Sequence, residues 1–257
     1  MLPEIHLGPV TLKTFGMLFA LAFIAIGLLA GRRFRELGKP ADWAYEIAFA
    51  ALAGGLVGSR LYWLIQHWDT TRHDVVGNLF GGSGLVWYGG LLGGAVAVVL
   101  WARWRGMLGL ALLDLAAPAL ALGYAIGRCG CQVSGDGDYG KPWNGPWAMA
   151  YPDGVVPTTQ RVHPTPIYES LAMGIAAIVL WRLRDRFRPG VLFAIYLVWA
   201  GLERFAVEFV RRNAEVVAGL TGAQLESLVL VVAGAAWLLV VRARGGWRPA
   251  GSRPATA

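Results

Sequence analysis

The sequence has 257 residues, of which 56% are hydrophobic and only 15% are charged. A soluble domain is usually about a quarter charged, so the composition argues against an ordinary soluble protein and indicates a membrane protein. The net charge of +7 does not indicate nucleic-acid binding, because the arginines form short clusters between apolar runs rather than a stripe that could follow phosphates.

Seven apolar stretches of near membrane-spanning length follow one another along the chain. They cover residues 12–30, 43–66, 85–104, 108–127, 166–181, 190–210 and 223–241. The pattern predicts an all-α polytopic membrane protein with about seven transmembrane helices, formed by one membrane domain over residues 1–257. A cleaved signal peptide is the alternative for the first stretch, but its basic residues follow the apolar run instead of preceding it.

The loops between the stretches alternate in charge. The basic segments RRFREL, ARWRG, RLRDRFR and RARGGWR follow the first, third, fifth and seventh stretches. The positive-inside rule therefore places the N-terminus outside and the C-terminal tail, residues 242–257, in the cytoplasm. The longest link, residues 128–165, then lies at the outer face, and long loops are often functional.

Charged residues occur within or beside the apolar stretches, where each costs roughly 2.5–3.5 kcal/mol on insertion scales. Most lie toward the outer ends of their stretches, so arginines and carboxylates gather at one depth. A structural ion-pair network is one interpretation. We favour a polar cavity reached from the outer face, because guanidinium groups there suit an anionic lipid headgroup. The set is Glu46, Arg60, Asp114, Arg128, Glu169, Glu203, Arg204 and Glu208.

Two short segments frame this predicted cavity. SGLVWYGGLLGG opens the third stretch and presents Tyr88, followed by Gly89 and Gly90, although small residues also serve close helix packing. HPTPIYES opens the fifth stretch, with His163 at the mouth and Tyr168 about one turn inside. Histidine is the commonest general base, and an exposed loop histidine is the alternative.

A metal site is not predicted. Cys129, Cys131, His163, Asp136 and Asp138 could in principle ligate zinc, but neither a CxxC pair nor an HExxH spacing is present. No GxSxG elbow indicates a serine hydrolase. The two cysteines are separated by one residue, so a disulfide between them would be strained.

Four motifs together resemble those of the prolipoprotein diacylglyceryl transferase family. GRCGCQVSGDGDYG is similar to its signature G-R-x-G-N-F-x-N-x-E, and WYGGLLGG to its HGG motif. HPTPIYES is similar to HP-x-Q-L-Y-E, and ERFAVEFVRR to F-R-x-x-V-E-F-x-R. The matches follow the expected order over most of the chain. Cys131 replaces the signature asparagine, Tyr88 the HGG histidine and Asp136 the glutamate.

The resemblance implies a multi-pass enzyme of the bacterial inner (plasma) membrane, with no metal or organic cofactor. It implies transfer of a diacylglyceryl group from phosphatidylglycerol to the lipobox cysteine of preprolipoprotein signal peptides, releasing glycerol phosphate in lipoprotein biosynthesis. Membrane lipids are then partners, and nucleic acid is not. Because the motifs depart from the family pattern, a relative that uses another acceptor, or a non-catalytic lipid-binding or transport protein, is the alternative.

The resemblance also implies roles for individual residues. Arg128 and Arg204 would hold the lipid phosphate, and we add Arg60 at the same depth. His163 is the first candidate for the base, because a tyrosine would deprotonate less readily near neutral pH. The catalytic candidates are His163, Tyr88, Glu208 and Asp136. The supporting residues are Tyr168, Glu169, Gly89, Gly90 and Glu203.

Overall fold

The computed structural model describes residues 1–72 and 86–248. Within these ranges the helices are α1 Thr14–Glu36, α2 Trp43–Gln66, α3 Trp68–Thr71, α4 Trp87–Trp104, α5 Leu110–Ser134, α6 Thr165–Leu183, α7 Val191–Glu208 and α8 Gly222–Ala243. Three antiparallel hairpins are formed by β1 Glu4–Leu7 with β2 Val10–Lys13, β3 Met149–Tyr151 with β4 Thr158–Val162, and β5 Glu215–Val217 with β6 Leu220–Thr221. The elements therefore follow the predicted order of long helices.

The long helices have the character of membrane spans. Five of them, α1, α2, α5, α6 and α8, are long and apolar enough to cross a membrane. Large apolar side chains point outward, and Phe49 and Ile65 on α2 are each 71% exposed. Outward apolar faces are what a lipid environment favours. The predicted all-helical, polytopic membrane class is confirmed at this level. Residue 85 of the third predicted stretch and residues 249–257 of the tail lie outside the described ranges.

Helix α5 ends later than the sequence predicted. It continues to Ser134, so Arg128 lies inside the helix and does not begin the predicted 128–165 loop. The residue that follows the helix, Gly135, has a left-handed backbone with φ of +62°, and its N–H still donates to the Cys131 carbonyl at 2.9 Å. Glycine ends helices in this conformation without a Cβ penalty. The segment beyond it contains the β3–β4 hairpin.

The chain forms two compact units, one of Gly27–Leu112 and one of Met1–Ile26 with Leu113–Ala257. The prediction of a single membrane domain stays a prediction. In the first-named unit, α2 and α4 pack through glycines: a Cβ on Gly58 would lie 2.7 Å from the Gly93 Cα. Such close approach is typical of small residues in membrane helices, so helix packing accounts for Gly89 and Gly93 of α4.

The other unit is built around α5, α6 and α7. Its core contains alanines of α5 and α6, together with Met173, Leu180 and Leu192. Asp114 on α5 accepts hydrogen bonds from the Gly190 N–H at 2.7 Å and the Phe193 N–H at 2.8 Å. Gly190 is the N-cap residue of α7. The Asp114 carboxylate therefore satisfies two backbone donors at the start of α7 and complements the dipole of that helix. One of the predicted intramembrane charges is therefore a helix cap.

Candidate active site

A cluster of three arginines and three carboxylates lies in the α5–α6–α7 unit. Its centre is Glu169 on α6, whose side chain is completely buried. Glu169 Oε1 accepts from Arg204 Nη1 at 3.2 Å and from Arg211 Nη1 at 3.0 Å. Its Oε2 accepts from the Tyr124 hydroxyl at 3.2 Å and pairs with Arg128 Nε. The members of this arginine–carboxylate cluster are Arg128, Asp138, Glu169, Arg204, Glu208 and Arg211.

Asp138 joins two of the arginines from the loop after α5. Its carboxylate pairs with Arg128 Nη1 and accepts from Arg211 Nη2 at 2.6 Å. Burial alone would raise the pKa of Asp138, but the charges of Arg211 and Arg128 outweigh it and hold that pKa below its usual value. Its backbone carbonyl accepts from the Thr165 hydroxyl at 2.5 Å. These bonds fix the loop to the start of α6.

Glu208 closes the cluster at the end of α7. Its Oε2 lies 2.9 Å from Arg204 Nη2 and 3.8 Å from Arg211 Nε. Its Oε1 accepts from Asn213 Nδ2 at 2.5 Å and from the Thr221 hydroxyl at 3.0 Å. Thr221 is also the N-cap of α8. Glu208 therefore joins the cluster to the next helix, and its predicted catalytic role stays a prediction.

The arginines differ in accessibility. The side chain of Arg204 is 23% exposed, that of Arg128 16% and that of Arg211 9%. Arg204 also keeps its Nε without a hydrogen-bond partner in the part of the chain that the structure describes. Guanidinium donors bind phosphate well because of their planar fork. Arg204 is thus the cluster member most available to an anion.

A large apolar groove lies beside the cluster along α7. Its volume is about 860 Å³. Apolar and aromatic side chains form most of its wall, as is usual for sites that bury small molecules or lipid chains. Three of its residues have titratable side chains: His163, Tyr168 and Glu203. The remaining lining residues are Trp143, Trp147, Ala172, Ile195, Val198, Trp199, Leu202, Ala206, Val207, Val210 and Leu238.

His163 is held in this groove by aromatic neighbours. Its ring stacks on Trp143 with centroids 4.4 Å apart, and its Nδ1 lies 3.3 Å from the Tyr168 hydroxyl. Trp147 Nε1 donates to the same hydroxyl at 2.7 Å. Burial lowers the pKa of His163, so its imidazole is neutral near pH 7. A neutral imidazole can accept a proton.

Asp136 does not contact the arginines. Its Oδ1 accepts from the Asp138 N–H at 3.2 Å, and it is Asp138 that pairs with Arg128. Ligand atoms of Cys131, Asp136 and Asp138 lie within 4.8 Å of one another. Both oxygens of Asp138 are engaged by arginines, so this group offers a cation only two ligands. Asp136 thus contacts the cluster through the Asp138 backbone and not through its arginines, and its predicted catalytic role stays a prediction.

Arg60 and Tyr88 belong to the unit of Gly27–Leu112. The guanidinium of Arg60 is buried and lies 4.6 Å from the centroid of the Trp63 ring. Tyr88 is 49% exposed. Gly89 is buried and Gly90 half-buried against α2. The predicted roles of Arg60 and Tyr88 in lipid binding and catalysis stay predictions.

Sequence reasoning assigned no role to Arg211. The predicted set of charged residues ends at Glu208, and Arg211 follows the apolar stretch of residues 190–210. Arg211 stands in ERFAVEFVRR three residues after Glu208 and seven after Arg204, a spacing that would put all three on one face of a continued helix. In the structure α7 ends at Glu208, and the turn that follows keeps Arg211 beside it, with its N–H donating to the Glu208 carbonyl at 3.2 Å. A search for charged residues at helical spacing beyond residue 210 would therefore have identified Arg211 as a partner of Glu208 and Arg204.

Comparison with known proteins gives one consistent result. The model of the family described as prolipoprotein diacylglyceryl transferase matches residues 4–240. The phosphatidylglycerol–prolipoprotein diacylglyceryl transferase of Clostridium tetani is 30% identical, over 86% of this chain and 89% of its own length. The proteins of the same name from Methylobacillus flagellatus and Geobacillus kaustophilus are 31% and 32% identical; they cover 93% and 94% of this chain, and 95% and 92% of their own lengths. The chain belongs to the prolipoprotein diacylglyceryl transferase family.

Proposed function

We propose that the protein transfers the diacylglyceryl group of phosphatidylglycerol to the thiol of a lipobox cysteine in preprolipoproteins, releasing glycerol phosphate. The names of its relatives give the donor and the class of acceptor. Phosphatidylglycerol, preprolipoprotein signal peptides and the surrounding membrane lipids are then its partners. The activity belongs to lipoprotein biosynthesis.

One observation carries this proposal: the apolar groove and the arginine–carboxylate cluster lie next to each other on α7. Glu203 and Val207 line the groove, while Arg204 and Glu208 belong to the cluster. A lipid whose acyl chains occupy the groove would therefore bring its phosphate to Arg204. Arg128 would support this grip from α5, through the carboxylates that it shares with the other arginines.

The chemistry needs a stabilised leaving group and a base. The thiol sulfur attacks the glycerol carbon that carries the phosphate ester, and the carbon–oxygen bond to the phosphate breaks. Negative charge then increases on the phosphate, where prearranged guanidinium donors stabilise it. A base takes the thiol proton. Tyr168 and Glu169 have supporting roles, Tyr168 by holding His163 and Glu169 by holding the arginines.

The same proposal includes an orientation in the membrane. We propose seven spans, with α4 and α7 added to the five helices that are long and apolar enough to cross a membrane. The N-terminus would lie outside the bacterial inner membrane and the tail from residue 242 in the cytoplasm. The alternating basic loops support this orientation. It places His163 and the β3–β4 hairpin at the outer face, where lipobox cysteines are presented.

A transfer assay in proteoliposomes tests the function. The donor is phosphatidylglycerol labelled in its acyl chains, the acceptor is a lipobox peptide, and mass spectrometry detects the diacylglyceryl thioether. We expect Arg204→Ala to lower the turnover rate by about 10²–10³-fold, the usual cost of losing a charge-stabilising donor. Arg128→Ala should also abolish most transfer.

The matched control is Arg212→Ala. Arg212 is the exposed neighbour of Arg211, stacks on Tyr139 and makes no ion pair with a described residue. It should keep the wild-type rate. Wild-type turnover in folded Arg204→Ala would refute the phosphate role.

One observation favours a second candidate, a lipid-binding protein without transfer. All three arginines of the cluster are already paired with carboxylates, as in a purely structural network. In that case, the wild-type protein would bind phosphatidylglycerol but form no thioether with any lipobox peptide. The same assay therefore separates the two candidates.

A further inference from the structure

Glu203 differs from every other carboxylate of this region. Glu169, Asp138 and Glu208 are each held by two or more arginine or hydrogen-bond partners. Glu203 lines the apolar groove, and among the described residues it makes neither a hydrogen bond nor an ion pair. Carboxylates in membrane-spanning helices are costly and usually functional. Fold stability therefore does not account for its presence.

Glu203 nevertheless lies within electrostatic range of the cluster. The charges of Arg204, Arg128, Arg211 and Glu169 all act on its carboxyl group. It is therefore close enough to respond to charge in the cluster, yet remains available to a molecule in the groove. The three paired carboxylates lack this combination, because their oxygens are already engaged by arginines.

The spacing of Glu203 and Arg204 suits an in-line displacement. Consecutive residues of an α-helix are rotated by about 100°, and here Glu203 lines the groove while Arg204 pairs with Glu169 and Glu208 in the cluster. An attacking sulfur and a departing phosphate must lie on opposite sides of the reacting carbon. A base that faces the groove and a guanidinium that belongs to the adjoining cluster can serve the two ends of the reaction.

We propose that Glu203 is the general base that takes the proton of the acceptor thiol. The inference rests on the proposed transferase function. The S–H bond breaks and its proton moves to a carboxylate oxygen of Glu203. The sulfur electron pair forms the bond to the glycerol carbon, and the carbon–oxygen bond breaks with its electron pair on the phosphate. Glycerol phosphate leaves beside Arg204.

His163 then has a different task. Its ring is stacked on Trp143 and its Nδ1 faces the Tyr168 hydroxyl. These contacts fix the orientation of the His163 ring at the mouth of the groove, where the acceptor peptide enters. His163 is a positioning residue in this scheme, and the first prediction for the base moves from His163 to Glu203.

The test uses the full chain in proteoliposomes and compares two acceptors. One lipobox peptide carries cysteine, and the other carries selenocysteine, whose selenol is ionised at neutral pH without a base. We expect Glu203→Gln to lower kcat for the thiol peptide by about 10²–10⁴-fold, with KM for phosphatidylglycerol unchanged. With the selenol peptide, its kcat should stay within about tenfold of wild type. The matched control is Glu215→Gln, an exposed glutamate of β5, which should behave as wild type.

Each outcome decides the matter. A wild-type kcat of Glu203→Gln with the thiol peptide overturns the proposal, as does an equal loss with both peptides, which would indicate a structural role. A thiol-selective loss in His163→Gln, without one in Glu203→Gln, also overturns it and returns the base to His163. Absence of any thioether from the wild-type protein would instead refute the transferase function itself, so the two failures are distinguishable.

Discussion

Replacing Glu169 by glutamine tests whether the arginine–carboxylate cluster holds the α5–α6–α7 unit together. Glu169 is completely buried and accepts from Arg204, Arg211 and Tyr124, while Arg128 pairs with it directly. Glutamine keeps the shape and one acceptor oxygen but removes the charge. The cluster would change from three charges of each sign to an excess of one positive charge.

The expected loss follows from the remaining partners. Arg128 and Arg211 keep Asp138, and Arg204 keeps Glu208, so no arginine loses all of its carboxylates. We therefore expect the cost of one broken buried ion pair, about 3–5 kcal/mol, rather than three. At about 2–4 °C per kcal/mol for a chain of this size, the midpoint of thermal unfolding should fall by roughly 6–20 °C.

The assay is thermal unfolding of the purified protein in detergent, with Glu215→Gln as the control on an exposed strand. A double variant, Glu169→Gln with Arg211→Gln, restores the charge balance. Since the two sites share a hydrogen bond of 3.0 Å, it should be more stable than additivity predicts, by about 0.5–3 kcal/mol. A midpoint of Glu169→Gln within 2 °C of wild type, about the shift for 1 kcal/mol, or strict additivity in the double variant, would contradict this reasoning.

Two further predictions use the same unfolding assay. Gly58→Ala should destabilise the protein by about 1–3 kcal/mol, because its Cβ would lie 2.7 Å from the Gly93 Cα, whereas Gly174→Ala, with no atom within 4 Å, should stabilise it by about 0.5–1 kcal/mol; equal effects would refute the close helix packing. The depressed pKa of Asp138 means that its carboxylate contributes stability that is present above pH about 4 and is lost as pH falls through the folded-state pKa. Asp138→Asn should thus lose stability at pH 7 and show a weaker further loss toward pH 3 than the wild-type protein.

The helices could be predicted from the sequence because membrane spans are defined by length and apolarity. Hydropathy identified seven stretches, and the structure has a helix in each. The same cost argument selected Arg128, Glu169, Arg204 and Glu208 as charges that need partners, and the structure pairs them with one another. Energetic rules that act on single residues were sufficient for this part.

The partners themselves could not be predicted in the same way. Asp136 and Asp138 stand in a glycine-rich run, and motif spacing alone favoured Asp136. The left-handed backbones of Gly135 and Gly137 set the direction of the loop and bring Asp138 to Arg128. Sequence periodicity carries no information about such turns, because they have no regular repeat. Asp114 was counted with the cluster for a related reason, since capping of a distant helix depends on the tertiary fold.

The charge balance of the cluster suggests how it can serve catalysis and not only binding. Three guanidinium groups face three carboxylates, so the cluster offers a phosphate little net attraction, and Arg204 must provide its grip locally. Glu203 adds a negative charge in the groove. When it takes a proton from the thiol, that charge disappears as another develops on the departing phosphate. The total charge of the site is then the same before and after the step, so the surrounding apolar groove need not stabilise an additional charge.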